Sequence, residues 1–416
     1  MATTLFEFFR ACTIQAFKGD RRYYGWMSGW TLLVVLGAIA YSRQLDQGLI
    51  VTGMSDQVSW GFYISNFTYL VGVAAAAVML VLPAYIFHRD DFKAALIVGK
   101  SMAVAAVVMC ISFVTVDLGR PDLVWHMLPW LGELNFPHSM LAWDVVVLSG
   151  YMVLNLLLIF YILFIKFQGR EPEVRKYFWA VLLSIIWAIS IHTVTAFLFS
   201  VNVSRPFWNT AVLAPRFLAS AFASGPAFII LVLQAINSLT PLKVGEQVVR
   251  LLGMVVTVAL QIHLFLIFVE LTTDFYFETE HAASIRYLFM GLRGVGNLMI
   301  WTWASMLMLL IAVVVLSVHK LREDRFFMNM ALVLVMVGIW IEKGMGMVVP
   351  GFIPTPAGEI MEYSPSFTEL MVTLGIWSLG VLVFTVLIKI SIPIWLHHLE
   401  MKALMEKSIS KGRKKS

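Results

Sequence analysis

The chain has 416 residues, 60% of them hydrophobic and only 13% charged, with a formal net charge of +5. An average soluble domain carries about 25% charged residues, so this chain cannot cover its surface in water, and the soluble enzymes and nucleic-acid binders that its length and charge would otherwise allow are excluded. Apolar runs recur from end to end instead, each long enough to cross a hydrocarbon core of about 30 Å as a helix.

Taken in chain order, Met1 to Phe17 has no basic stretch and no small-residue cleavage site before Lys18, so it does not read as a cleavable signal. Phe6, Phe9, Ile14 and Phe17 suit a helix lying in the membrane interface. Membrane spans are predicted over 24–42, 60–87, 95–116, 140–166, 177–201, 214–238, 250–274, 294–318, 327–349 and 368–395. This is an all-α integral membrane protein of about ten transmembrane helices. Spans two to five and six to nine are read as two four-helix bundles flanked by the first and last helices. The divisions are 1–58, interfacial segment and first helix; 59–201, first bundle; 202–349, second bundle; and 350–416, last helix and basic tail. An even number of spans puts both termini on one side. The tails and even-numbered loops hold most of the Lys and Arg, including Arg21, Arg22, Arg170, Arg175, Lys176, Arg322, Arg325 and the tail Lys411 to Lys415. The excess of positive charge makes that side cytoplasmic, which predicts a multi-pass protein of the bacterial inner membrane, its tail resting on anionic lipid.

The two cysteines, Cys12 and Cys110, match no cluster-binding, haem-attachment or disulfide spacing. The outer loops 117–139, 202–213, 275–293 and 350–367 are rich in Trp, Pro, Gly and His. They read either as an interfacial aromatic belt or, for 117–139, as a docking surface or lid over a site.

Ionisable residues inside a membrane are costly and default to functional candidates. Asp117 ends the third span, Asp144 begins the fourth, Glu270 and Asp274 end the seventh, and Glu342 and Lys343 lie in the outer part of the ninth. Asn66 lies about two turns into the second. The cytoplasmic halves read as mostly Ala, Val, Leu and Met, so the polar groups form a stratum near the outer interface. A hairpin between spans three and four is expected to bring Asp117 and Asp144 together, a pair suited to giving and taking protons at neutral pH. Arg120 can hold a carboxylate or a carbonyl oxygen, Asn66 can donate or accept, and Trp143, Trp60 and Phe62 offer flat apolar walls. Such a slot, with proton partners at both ends, suits a quinone. The alternative is that these acids cap helix ends or pair with Arg120. Deeper lie Ser112 and Thr115 on span three, Ser149, Tyr151 and Asn155 on span four, and Ser184, Ser190, His192, Thr193 and Thr195 on span five. These are either a proton path from the cytoplasm, which Glu270 and Asp274 extend, or ordinary interhelical hydrogen bonds. His192 and His263, each near the middle of its span, are a satisfied pair, a proton relay, or two ligands of a b-type haem.

A weak repeat relates Ser65-Asn66-Phe67 to Ser220-Ala221-Phe222, Asp117 to Asp274, and Leu141-Ala142-Trp143-Asp144 to Trp301-Thr302-Trp303-Ala304. The second block lacks the Asn and the Asp144 equivalent, so the chemistry is assigned to the first.

The segments 59–77 (SWGFYISNFTYLVGVAAAA), 116–126 (VDLGRPDLVWH, ending in His126), 140–151 (MLAWDVVVLSGY) and 192–227 resemble the NrfD-like family of membrane subunits, typified by polysulfide reductase. The resemblance spans nearly the whole chain and is most similar to the ten-helix members found in menaquinone-reducing complexes. It implies a subunit with no haem or iron–sulfur cluster of its own that binds menaquinone near the outer face of the first bundle. Its implied partners are a ferredoxin-like iron–sulfur subunit, a multihaem cytochrome c and a molybdopterin-oxidoreductase-like subunit, with no nucleic acid. Asp144 matches the acid of the family's Trp-Asp motif. Asp117 and Asn66 stand where some relatives carry His, which leaves the immediate proton donor open. On this reading Asp144 and Asp117 are catalytic, and Asn66, Arg120, His126, Trp143 and Trp60 bind quinone. A secondary transporter is the rival class, although transporter sites lie nearer the midplane.

Overall fold

The structure is a computed structural model that describes residues 2–128, 131–277, 281–355 and 357–399. The basic tail Lys411 to Lys415 lies outside the described residues. Among the described residues the chain is helical, without a named strand, and ten helices are long and apolar enough to cross a membrane. The N-terminal helix α1 spans Ala2–Phe17. The ten spans are α2 (Arg21–Gln47), α3 (Phe62–Ile86), α4 (Phe92–Asp117), α5 (Met140–Phe167), α6 (Val174–Ser200), α7 (Leu213–Leu239), α8 (Glu246–Phe277), α9 (Met299–Ser317), α10 (Arg325–Lys343) and α11 (Phe367–Trp395).

Polar side chains set several helix starts. Asp20 accepts from Tyr23 N, Ser139 from Ala142 N, and Asp324 from Phe326 N and Phe327 N, each satisfying amides that have no partner within the helix. Ser366 and Glu369 form a reciprocal capping box at α11. The α3 span is not continuous: it is α-helical over Phe62–Ala75, resumes at Val78–Val81 and widens into a π turn at Leu82–Ile86. Pro83 in that turn has no N–H to donate, and the wider turn accommodates it. The connection 275–293, read as a loop from sequence, instead continues α8 and then forms a helix over His281–Met290. Part of the 117–139 loop is a 3-10 helix over Pro121–Met127.

Helix α3 packs on α4, α4 on α5, α5 on α6, and α6 back on α3. In the second half, α7 packs on α8, α8 on α9, α9 on α10, and α10 on α7. The seam between the halves is α3 against α7, where small residues let backbones approach: a Cβ on Gly225 would fall 2.3 Å from Ala76 Cβ, and one on Gly72 would fall 3.5 Å from Ala221 Cβ. Helix α11 packs on α4 on one side and on α2 on another. There Gly37 and Gly375 meet backbone to backbone, a Cβ on Gly37 falling 2.6 Å from Gly375 Cα. On α1, Phe8 is buried and sets its ring against Phe160, Phe164 and Phe167, while Phe6, Phe9, Ile14 and Phe17 stay exposed.

Candidate functional site

The C-terminal end of α4 carries the first candidate. Asp117 is the last residue of α4, and one of its carboxylate oxygens is buried with no hydrogen-bond partner. The charge that acts on it is Glu369 at the start of α11. Nearby, Gln44 of α2 donates to Val116 O at 2.6 Å and accepts from the Tyr63 hydroxyl at 2.7 Å. Against this end lies an open cleft of about 550 Å³, lined by Tyr41, Gln44, Leu118, Gly119, Arg120 and Asp122 among others. Arg120 does not reach Asp117 or Asp144. It is exposed and pairs with Asp122 at 2.9 Å, and that hydrogen bond holds the Asp122 carboxyl below the usual carboxylate range. The expected Asp117–Asp144 pair does not form either. Asp144, 2% exposed, accepts from Thr195 Oγ1 on α6 at 2.8 Å. Both acids bound the same loop, but they meet different neighbours: Asp117 the charge of Glu369 on α11, Asp144 the Thr195 hydroxyl on α6.

Inward from Asp144, Tyr151 and Asn155 follow at seven and eleven residues along the buried face of α5. Tyr151 donates to Ala74 O at 3.3 Å, beside the break in α3. Asn155 donates to Tyr151 O and accepts from Lys100 Nζ at 3.2 Å. Lys100 is 1% exposed, and among the described residues no carboxylate pairs with it. It lies eight residues into α4, about 12 Å from the start of that helix, so it corrects the expectation that the half away from Asp117 is apolar. Beyond Lys100 a void of about 50 Å³, lined by Tyr85, Lys93, Glu171, Tyr177 and Trp395 among others, has room for a few waters. It reaches Glu171, whose side chain is exposed and bonds Lys166. Ser112, Thr115 and Thr193 each donate back to a carbonyl of their own helix four residues earlier, so nothing links them into this series.

The second half holds the densest buried charge. Arg216 of α7 pairs with both Glu270 of α8 and Glu342 of α10, and Glu342 also bonds His263 Nε2 at 3.0 Å. Asp274 is buried on the same helix as Glu270. A small cavity of about 40 Å³ adjoins Arg216, Glu270 and Glu342. Sequence alone does not single out Arg216, because three residues from a helix start a cation looks like an interfacial anchor. Lys343, next to Glu342, turns the other way: its ammonium sits over the Phe217 ring at 4.2 Å, and a Cβ on Gly72 would lie 3.7 Å from it. The Lys343 charge acts on Cys110 and His192, and Cys110 also feels Asp144. His192 Nδ1 bonds Ala188 O, and its buried Nε2 has no hydrogen-bond partner.

Other expected site residues are engaged elsewhere. Asn66 Oδ1 accepts from the indoles of Trp340 at 3.1 Å and Trp377 at 3.0 Å, while its amide donates to Phe62 O. It ties α3 to α10 and α11, with its carbonyl already occupied. Trp60 stacks on Trp208 and edges Phe199 and Phe352, a cluster just before the start of α3. Trp143 donates to Pro137 O within the 117–139 loop, and His126 is exposed against Trp125.

Among the described residues, ten helices long and apolar enough to cross a membrane, with acids and a lysine buried among them, define an integral membrane protein. The chain matches the family described as polysulphide reductase, NrfD, over residues 50–352, and it belongs to that family. It is 24% identical to a putative membrane subunit of dimethyl sulfoxide reductase from Halobacterium salinarum, over 86% of this chain and 89% of that one. It is 22% identical to a selenate reductase subunit from Mesobacillus selenatarsenatis, over 88% and 93%. Identity is also 22% to the Hdr-like menaquinol oxidoreductase integral membrane subunit of Archaeoglobus fulgidus, over 91% and 96%. These relatives are subunits of multi-subunit reductases or oxidoreductases, and they support the family rather than one particular complex within it.

Proposed function

We propose that this chain is the quinone-handling membrane subunit of a respiratory redox complex, exchanging electrons between an outer iron–sulfur subunit and menaquinone while protons come from the cytoplasmic side. The observation that carries this is the orphaned carboxylate oxygen of Asp117, buried at the end of α4 one residue before Leu118, which lines the 550 Å³ cleft. A quinol hydroxyl could donate to that oxygen, and a protonated Asp117 could donate to a quinone carbonyl. Tyr41, Leu118 and Pro121 give the apolar wall, and Arg120, paired with Asp122, an exposed cation at the mouth. Reduction takes two electrons from the partner and two protons through this chain. Asp144, Tyr151, Asn155 and Lys100 form the inward series, with the void at Glu171 as its entrance. The division into two bundles, the cytoplasmic termini, and multihaem cytochrome and molybdopterin-type partners belong to the same proposal. The narrower placement among menaquinone-reducing complexes does too.

Quinol oxidation is the second reading, favoured by the similarity to the Archaeoglobus subunit, whose name gives menaquinol as its substrate. The test is Asp144→Asn in the assembled complex. It is expected to keep the subunits together and to lower quinone turnover by about 10²-fold or more, the usual scale for a lost proton-transfer group. Near wild-type turnover would sink the assignment. The sign of the quinone reaction with the native partner separates the two directions.

A further inference from the structure

A second cleft, of about 650 Å³, opens where α7 ends and α8 begins, beside the α9–α10 turn. Because the helices alternate direction, this is the membrane face opposite Asp117. Its lining includes Arg250, Arg322 and Arg325 against Glu246 and Glu323, three guanidiniums to two carboxylates. Arg325 is taken by Glu246 at 2.7 Å, and Arg250 reaches Glu323 only at 3.7 Å. Arg322 donates to Leu316 O at 2.7 Å, and among the described residues no carboxylate pairs with it. On the cleft floor Asn329 gives its amide to Gln234 at 2.8 Å and leaves its own carbonyl oxygen buried without a donor. The cleft therefore offers a surplus cation and an unfilled acceptor. From its edge, Met254, Val258 and Ile262 run at four-residue spacing down one exposed face of α8, into the apolar zone.

We propose that this cleft binds an anionic phospholipid. Arg322 and Arg250 meet the phosphodiester in charge-assisted hydrogen bonds, a headgroup hydroxyl donates to Asn329 Oδ1, and an acyl chain lies along Met254, Val258 and Ile262. A free phosphate shares the first contact and cannot use the apolar stripe. That difference sets the experiment. The complex is purified in mild detergent and stripped of lipid. It is then titrated with phosphatidylglycerol, phosphatidylcholine or inorganic phosphate, with bound lipid read by native mass spectrometry and stability by thermal unfolding. Phosphatidylglycerol is expected to be retained and to raise the unfolding temperature, with phosphatidylcholine and phosphate well below it. Arg322→Gln is expected to weaken phosphatidylglycerol about fivefold, the scale of one basic residue at a lipid surface, and Arg322→Lys to restore most of it. Arg250→Gln, at an exposed position, gives the same comparison if Arg322→Gln does not assemble. Equal retention in wild type and variant would overturn the site. Phosphate protecting as well as phosphatidylglycerol would overturn the lipid.

Discussion

Replacing Arg216 by Gln removes the cation that two buried carboxylates share. Glu270 and Glu342 are 8% and 7% exposed, and Arg216 itself is 9%. An exposed ion pair would contribute under about 1 kcal/mol. Removing one partner of a buried pair costs about 3–5 kcal/mol, because the remaining charge is left in a poor solvent. Here two carboxylates are stranded at once, with His263 and Lys343 as partial compensation for Glu342, so the upper part of that range is expected. The structure also predicts how the loss is relieved. Adding Glu270→Gln removes the stranded charge that, among the described residues, has no second basic partner in contact, and leaves Glu342 with His263. The double variant is therefore expected to be more stable than Arg216→Gln alone by about 1–3 kcal/mol, the usual size of coupling within one network. Unfolding of the purified protein in mixed mild and denaturing detergent micelles gives both numbers. An unchanged midpoint in Arg216→Gln would refute the reasoning. So would a double variant whose losses simply add.

Lys100→Met is expected to leave assembly intact, since it gives up one hydrogen bond worth about 1 kcal/mol while removing a buried charge. It is expected to slow quinone turnover at least tenfold (roughly, on the general acid–base scale), and proton uptake by the complex in liposomes checks it. Gly225→Leu should force α3 and α7 apart at Ala76 and cost about 1–3 kcal/mol or more, read as a lowered unfolding temperature; wild-type stability would contradict the tight seam. The Lys166 hydrogen bond holds the Glu171 carboxyl below its ordinary value. Its contribution is complete above that ordinary value, near pH 4 (roughly), and is lost as pH falls through the lowered one. Acidification should thus release the 168–173 turn in wild type but produce no such step in Glu171→Gln, followed by the unfolding temperature between neutral and acid pH.

Hydropathy made the ten spans legible because every backbone group in a bilayer must bond within its own helix, so each span has to be a long apolar run. Burial of Asp144 was legible for a similar reason: one turn inside a span, it must find a partner in the protein. Partners were not legible. Each residue turns a helix by about 100°, and in a span apolar all round no stripe fixes which face is inward. Asp117, at the very end of α4, could meet Asp144 of α5 or a group elsewhere, and the charge that acts on it is Glu369 of α11. Arg216 and Lys100 were missed because basic residues near helix ends read as anchors. For Lys100 depth was the available signal: eight residues inside α4, its stem is too far from the helix start to reach water alone. The Asn66 clamp needed two tryptophans, Trp340 and Trp377, from helices far along the chain.

The two halves use buried charge in different ways, and this bears on where chemistry can occur. In the second half Arg216 is saturated by two carboxylates, and Glu342 is held again by His263. Moving a proton there breaks several contacts together, so the cluster is suited to fixing α7, α8 and α10. In the first half Asp117, Asp144 and Lys100 each stand without an opposite charge in contact among the described residues. Each can gain or lose a proton while disturbing one hydrogen bond or none. A route for protons needs groups of the second kind, and they occur along α4 and α5 from the void at Glu171 to the cleft at Arg120. Lys343 is the exception that joins the halves: rooted beside Glu342, it projects its charge towards Cys110 and His192. Cys110, which also feels Asp144, is thus the point where the charges of the two halves meet.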